Sequence, residues 1–411
     1  MRIRGNVDRC EPSGVSGWVI DEDAPAVRQT VEVYLGEALL GRCVADQPRA
    51  DLVAAGIGDG HVAFSLTLPP FLPVAALAGL RVVVAGSGVE MTVPTAAAPQ
   101  PAAPAAARET TTTSRFGGLW IDRSDFMDRL GLKHRRGEID DATAMALCRF
   151  VRDGYLVIPG AVPLAEVAAL REELERIWAD PPAGLLVETF EPDGRMKYVA
   201  PDIRHRAGAT KLLDLYTVSR LAQAVTASPA CMRFLSAVFE DTPKAFQQLC
   251  FWNGSQQSMH KDTAYVKIDT NPLSLAATWL ALEDVQEGAG ELEYYVGSHR
   301  APDFAFGGVS KWVEGHDREH QAFVDSLHAD AQAYGHVKGR FHGKAGDVLV
   351  WHADLAHGGS RITRQGQTRQ SLVTHFTAGR DEPFYRRHAQ HAPLERDGCV
   401  FVSQYAPVVG A

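Results

Sequence analysis

The sequence predicts an α+β protein with a small all-β domain in front of it, and three observations carry this. Residues 1–95 hold short β-prone runs separated by Gly, Pro and Asp clusters. Residues 96–114 are a linker in which Ala, Pro and Thr dominate and no apolar periodicity remains to bury. Residues 115–411 read as helices first and strands afterwards, the order expected of helices packed on an antiparallel sheet or open barrel.

The composition is ordinary for a soluble globular protein and argues against a general nucleic-acid binder. The chain has 411 residues, 45% hydrophobic and 22% charged, enough for two or three domains with a substantial core. Net charge is −9 and there is no basic run, which argues against nucleic acid as a partner. The six cysteines (Cys10, Cys43, Cys148, Cys231, Cys250 and Cys399) are scattered without a C-x-x-C pair, as reduced thiols of a cytoplasmic protein would be. The first residues lack an apolar signal core. The most apolar stretch, 71–86, is broken by Pro73 and Arg81, so no transmembrane segment is expected.

Within residues 1–95 the strand candidates are 17–21, 31–35, 61–68 and 81–85, which favours a sandwich-like arrangement. Asp21, Asp23, Asp51 and Asp59 are more often solvated turn residues than calcium ligands. The second domain opens near Phe116. Acids at 140–141 start a helix. Residues 154–160 read as a strand ending in a turn. Val167, Leu170, Leu174, Ile177 and Trp178 then recur at helical spacing behind Pro163. Another helical region is expected over 211–239. Strands are expected over 245–252, 259–268, 275–282, 291–296, 347–351 and 371–377. Residues 301–342 interrupt them as a polar insertion or lid.

The chemistry centres on His260-Lys261-Asp262. Side chains alternate faces along an extended segment, so His260 and Asp262 point the same way. An imidazole beside a carboxylate supplies two ligands of a 2-His-1-carboxylate iron site, which keeps positions open for cosubstrate and oxygen. Alone, such a pair is more often a structural hydrogen bond. A third ligand must be a distant His, and His357 is a good one, followed by Gly358 and Gly359 that permit close approach. Arg369 begins the strand leading to His375. A buried Arg is costly unless it meets a carboxylate, which its planar fork suits. His352, with Asp354, forms a second H-x-D and stays open as an alternative ligand. His375 either lines the pocket or packs. His316, His320, His328, His336 and His342 lie in the insertion and are expected to be exposed.

The order GSQQSMHKD, TWLALEDVQEGAGELEYYVGSHR, GDVLVWHADLAHGGSRITRQGQTRQSLVTHF resembles the phytanoyl-CoA dioxygenase family, a branch of the iron(II)- and 2-oxoglutarate-dependent oxygenases. GYLVIPG followed by an amphipathic helix is similar to how these domains begin. The resemblance covers residues 150–379. It implies a double-stranded β-helix (a cupin-like jelly roll) with flanking helices. It implies His260, Asp262 and His357 as the catalytic iron ligands and Arg369 as the partner of the 2-oxoglutarate distal carboxylate. Iron(II), 2-oxoglutarate and O2, with ascorbate in support, are the cofactors it implies. The expected reaction couples decarboxylation of the 2-oxo acid to oxidation of a substrate C–H bond. Related halogenases carry a small residue in place of the carboxylate, so Asp262 favours hydroxylation, desaturation or another C–H oxidation.

Further positions follow from the same resemblance. Gln247 or Gln248, with Gln248 preferred, and Thr278 or Trp279, with Trp279 preferred, would line the cosubstrate pocket, since alternation sends only one of each pair inward. Trp279 as a plain core aromatic is an equal reading. Ser360 would contact the cosubstrate from beside His357. The Pro-Asn common after the distal His is absent, which puts Arg361 and Arg364 in contention with Arg369; the strand directly after Arg369 favours it.

The first domain, GNVD…GWVIDED…VEVYLG…RADLVAAGIGDGHVAFSLTLP, resembles accessory β domains beside glycosyltransferases in bacterial glycan-assembly proteins. That leaves glycan or protein contact through residues 1–95 open. The substrate expected is a small or carrier-linked metabolite, with glycan or glycolipid biosynthesis as the suggested setting. Lys197, Tyr198, Arg204 and His205 form a polar segment placed to cover the pocket. The competing readings are a non-catalytic glycan-binding scaffold on a degenerate oxygenase fold and a metal-dependent cupin isomerase, which has no need of Arg369.

Overall fold

The computed structural model describes residues 2–11, 14–36, 38–68, 77, 79–93, 112–190, 195–208, 210–387 and 391–410. The expected linker lies outside the described residues except for 112–114. The chain divides into two compact units, Met1–Thr111 with Ser124–Cys148, and Thr112–Arg123 with Arg149–Ala411. The division therefore differs from a single cut at residue 115. Composition marks a linker, but it does not say which unit the helices beyond it will join.

In the first unit, β1 (Ile3–Glu11), β2 (Gly14–Asp21), β3 (Thr30–Leu35) and β4 (Ala38–Val44) precede the short helix α1 (Ala50–Ala54). β5 (Ala63–Thr67), β6 (Leu80–Val84) and β7 (Val89–Met91) follow. One antiparallel sheet has the order β1-β2-β5 and the other β4-β3-β6-β7. Alternate residues of both sheets meet in one core, Val7, Val15 and Val19 from the first and Val31, Val33, Val82 and Val84 from the second. Asp21 accepts the amides of Arg2 and Asp23, while Asp51 and Asp59 pair with Arg49 and Arg28, as turn and surface acids do. The unit also holds α2 (Phe126–Arg135) and most of α3 (Asp141–Asp153).

The second unit begins its sheet with β8 (Tyr155–Ile158), and α4 (Leu164–Ala179) follows. The apolar face of α4 is the one its spacing predicts: Val167, Leu170, Leu174, Ile177 and Trp178 are all buried. β9 (Leu186–Phe190), β10 (Met196–Val199) and β11 (Lys211–Leu213) come next, then α5 (Arg220–Thr226) and α6 (Pro229–Phe239). Residues 211–213 are thus strand, not the start of a helix. Their pairing to both β9 and the following β12 (Pro243–Phe251) overrides local propensity. β13 (Ala276–Ala281), β14 (Leu292–Tyr295), α7 (His320–Ala333), β15 (Lys338–Arg340), β16 (Val348–His352), β17 (His357–Gly359), β18 (Ser371–Ala378), β19 (Leu394–Arg396) and β20 (Cys399–Phe401) complete it.

A major sheet runs β10-β9-β11-β12-β18-β13-β16-β8, with β20 beside β12 and β19 beside β20. A minor sheet runs β15-β14-β17. Phe251, Ala277, Trp279, Leu349, Trp351 and Val373 of the major sheet share one core with Leu292 and Tyr294 of the minor sheet, so the two sheets face each other across an apolar interior. The insertion has an apolar face as well as its polar one. α7 packs Phe323 and Leu327 into a second cluster with Phe306, Met259, Ala264 and Ala356, and β15 adds a strand to β14. His328 and His342 are exposed as expected; His316, His320 and His336 are half-buried. All six cysteines are free thiols. Among the described residues no helix is long and apolar enough to cross a membrane.

Candidate metal centre

His260 lies on no long strand. It forms an isolated bridge with His357, each amide donating to the other's carbonyl at 2.8 and 2.9 Å, and Asp262 then opens a single 3-10 turn. Only Lys261 between them is extended (φ −113°, ψ 137°), and that one residue suffices to aim both side chains the same way. The bridge brings the distant His357 alongside, with imidazole centroids 4.3 Å apart. Asp262 Oδ1 lies 3.8 Å from His260 Nε2 and 3.6 Å from His357 Nε2. One ligand atom from each of the three residues lies within 4.8 Å of the others, the one such group of His, Cys, Asp and Glu among the described residues.

The surrounding hydrogen bonds orient the ligand atoms. His260 Nδ1 donates to Ser258 O at 2.8 Å and His357 Nδ1 donates to Leu355 O at 2.9 Å. A carbonyl can only accept, so each ring carries a proton on Nδ1 and turns its Nε2 toward Asp262. Trp351 Nε1 donates to Asp262 Oδ2 at 2.7 Å, leaving Oδ1 on the side of the histidines. His375 Nε2 sits 3.4 Å from the same Oδ2. Burial and the neighbouring His357 push His260 down to about 3, so its ring stays neutral. Burial opposes ionisation of Asp262, but His357 and His375 outweigh it and hold the carboxyl well below the usual carboxylate range. Two imidazoles with one carboxylate are the donor set a divalent first-row metal takes.

The second H-x-D does other work. His352 Nε2 bonds Asp122 Oδ1 at 3.0 Å, and its Nδ1 accepts the Asp354 amide. Asp354 receives Thr263 Oγ1 at 2.5 Å and pairs with buried Lys311, which also meets Asp303 at 2.8 Å. This network braces the turn after Asp262 against the insertion.

Arg369 is buried, 2% exposed, and its guanidinium lies over Trp279 at 5.1 Å and Phe251 at 5.6 Å. One amino group donates to Gly290 O at 3.1 Å, while its Nε has no partner. Burial pushes Arg369 down to about 10 against the pull of Glu291 and Glu283. Among the described residues no carboxylate forms an ion pair with it, so the interior holds a cation that a dicarboxylate ligand would satisfy. Arg361 is exposed and Arg364 likewise. Trp279 faces the interior, beneath Arg369.

Gln248 is a correction. Its side chain bonds Thr226, Thr374 and the Tyr216 amide on the helix-covered face. Gln247 shares the inward face with Leu249 and Phe251 and lies opposite His375. A register shift between Ala245 and Gln247, invisible in the sequence, precedes both residues. Ser360 is also placed differently from expectation: its hydroxyl donates to Glu291 Oε2 at 2.5 Å. Burial disfavours the Glu291 anion, but Ser360 and the Gly288 amide hold its carboxyl below the usual range. Trp351 and Glu291 were not singled out from sequence. The signal for Trp351 was its place on the strand leading into His357.

The sequence signature of the phytanoyl-CoA dioxygenase family matches residues 150–371, more than half of the chain. The chain belongs to the phytanoyl-CoA dioxygenase family. Iron and 2-oxoglutarate are the metal and cosubstrate of this family. Human peroxisomal phytanoyl-CoA dioxygenase is 23% identical over 241 residues, covering 56% of this chain and 66% of the relative. The Bos taurus protein of the same name is 22% identical over 240 residues, with 55% and 66% covered. The match thus spans just under two thirds of either relative. Among solved structures, the epimerase SnoN in complex with Fe3+, alpha ketoglutarate and nogalamycin RO is 18% identical, with a TM-score of 0.45 over 66% of this chain and 96% of that one. EctD from S. alaskensis with 2-oxoglutarate and 5-hydroxyectoine is 22% identical, with a TM-score of 0.41 over 58% and 76%.

Proposed function

We propose that the second unit is an iron(II)- and 2-oxoglutarate-dependent oxygenase built on a double-stranded β-helix, oxidising a C–H bond of a small or carrier-linked metabolite. The observation that carries this is the convergence of His260 Nε2, His357 Nε2 and Asp262 Oδ1, each oriented by its own hydrogen bond. These residues would hold the metal, which when bound supplies oxygen activation coupled to decarboxylation of the 2-oxo acid. Arg369 would take the distal carboxylate of 2-oxoglutarate, over a floor of Trp279 and Phe251. The apolar interior excludes water from that ion pair and strengthens it. The Asp262 carboxylate occupies the place that chloride would need, which favours hydroxylation over halogenation. Cytoplasmic location, a setting in glycan or glycolipid synthesis, and glycan or protein contact through residues 1–95 belong to the same proposal.

The test is anaerobic reconstitution with iron(II) and 2-oxoglutarate, followed by exposure to air. One iron per chain and succinate formation are expected, with both lost in His260→Ala. Equal iron content and equal succinate formation in His260→Ala would overturn the reading.

A further inference from the structure

The inward face of the major sheet does not stop at the barrel. Lys211 pairs in register with Phe251 of the interior, Glu188 with Lys211, and Tyr198 with Glu188. Residues in register on neighbouring antiparallel strands share a face, so β11, β9 and β10 extend the interior outward as a shelf. Its seam is an ion pair, Lys211 Nζ to Glu188 Oε1 at 2.7 Å, with side chains only 18% and 12% exposed. Lys211 lies over the Phe251 ring at 6.0 Å, and Phe251 shares its core with Trp351, the donor to Asp262, which ties the seam to the metal centre. Beyond the seam Tyr198, 46% exposed, meets the Tyr405 ring at 5.7 Å, and Met196 stands opposite Phe190.

We propose that this shelf is the substrate platform, and that the substrate it takes is a neutral, polyhydroxylated ring of the glycoside type. This rests on the oxygenase reading above. The charge balance selects the class. Lys211 and Glu188 already neutralise each other in a half-buried setting, so an anionic or cationic substrate would have to break that pair and leave one partner uncompensated. A hydroxyl both donates and accepts, so a diol bridges the ammonium and the carboxylate without disturbing either charge. The Tyr198 face, apolar with a polar tip, suits the C–H face of such a ring.

The experiment uses the full chain loaded under nitrogen with iron(II) and 2-oxoglutarate, whose visible charge-transfer absorption reports that metal and cosubstrate are in place. A panel of neutral methyl glycosides of the common hexoses is titrated beside glucuronate and glucosamine, and binding is read as heat and as a shift of the absorption. A neutral glycoside is expected to bind and the charged sugars to bind more weakly. Lys211→Met and Glu188→Gln should each weaken the neutral glycoside roughly tenfold, the worth of a hydrogen bond to a charged group. The exchanged pair, Glu188→Lys with Lys211→Glu, should recover most of the loss, which a general structural defect would not. Tighter binding of a charged sugar, or silence across the neutral panel, would overturn the proposal. Absence of the absorption counts instead against the iron reading, and the heats still decide the glycoside question.

Discussion

Trp351, which the sequence did not single out, donates to Asp262 Oδ2 and packs its ring 4.8 Å from His357. Groups that orient a metal ligand are typically worth roughly 10–100-fold in metal affinity. Trp351→Phe keeps an aromatic ring and removes only the donor, so iron(II) affinity should fall within that range; an unchanged titration would show that Asp262 needs no such support. Arg369 leads to the opposite kind of prediction. A buried guanidinium with an unpartnered Nε costs stability until a ligand meets it. Arg369→Met should therefore leave the melting temperature of the ligand-free protein equal or higher while abolishing the rise produced by 2-oxoglutarate. A variant that still responds to 2-oxoglutarate as the parent does would remove Arg369 from the cosubstrate site. The convergence of His260, Asp262 and His357 and the burial of Arg369 were legible because their residue types are expensive to bury without purpose. Gln248 was misread because inward and outward positions on one strand differ only by register, and a bulge sets that register.

At the scale of elements, the metal centre depends on how closely β17 approaches the segment before Asp262. Gly359 N donates to Gln257 O at 2.9 Å beside the two bonds of the His260–His357 bridge. A Cβ on Gly358 would lie 2.8 Å from Gln257 O and 3.2 Å from Met259 N, both backbone atoms that cannot swing aside. Gly358→Ala should cost about 1–3 kcal/mol of stability in denaturant titration. It should also weaken metal binding, because the bridge that sets the His260–His357 spacing must open. Full stability together with full metal affinity would mean that the bridge is slack. The glycine pair was readable as a site of close approach; that the approach is backbone to backbone was not. Short apolar runs buried on both faces, such as β13, were also readable. Two were not. Residues 259–268 look β-prone yet turn after Asp262, since the His260–His357 bridge and the Thr263–Asp354 bond fix the local path. β11 is three residues long, and its partners β9 and β12 lie far from it in sequence, so only tertiary pairing makes it a strand.

For the whole molecule, one buried acid couples the fold to pH. Asp214 stands at the turn after β11, wholly inside the second unit, where its Oδ1 accepts the Gln248 amide and its Oδ2 the Ser403 hydroxyl, tying the C-terminal tail to the sheet. Burial raises its carboxyl to about 7, only partly offset by those two donors. In the unfolded chain an Asp titrates near ~3.9. Between these values the folded state holds a proton that the unfolded state has lost, so stability falls as pH rises. The contribution is complete below about pH 4, declines through the interval and levels off above about pH 7. Asp214→Asn keeps an acceptor for the Gln248 amide and offers an amide to Ser403, while removing the titration. The variant should therefore gain on the parent as pH rises, by on the order of a few kcal/mol between about pH 5 and about pH 8. Unfolding free energies of both proteins at the two pH values, read on the transition of the second unit, check this. The difference between the proteins isolates Asp214, because every other titrating group is common to both. Parallel pH profiles would show that Asp214 ionises in the fold as freely as in the unfolded chain, and that the C-terminal tail is held by hydrogen bonds that do not depend on its proton.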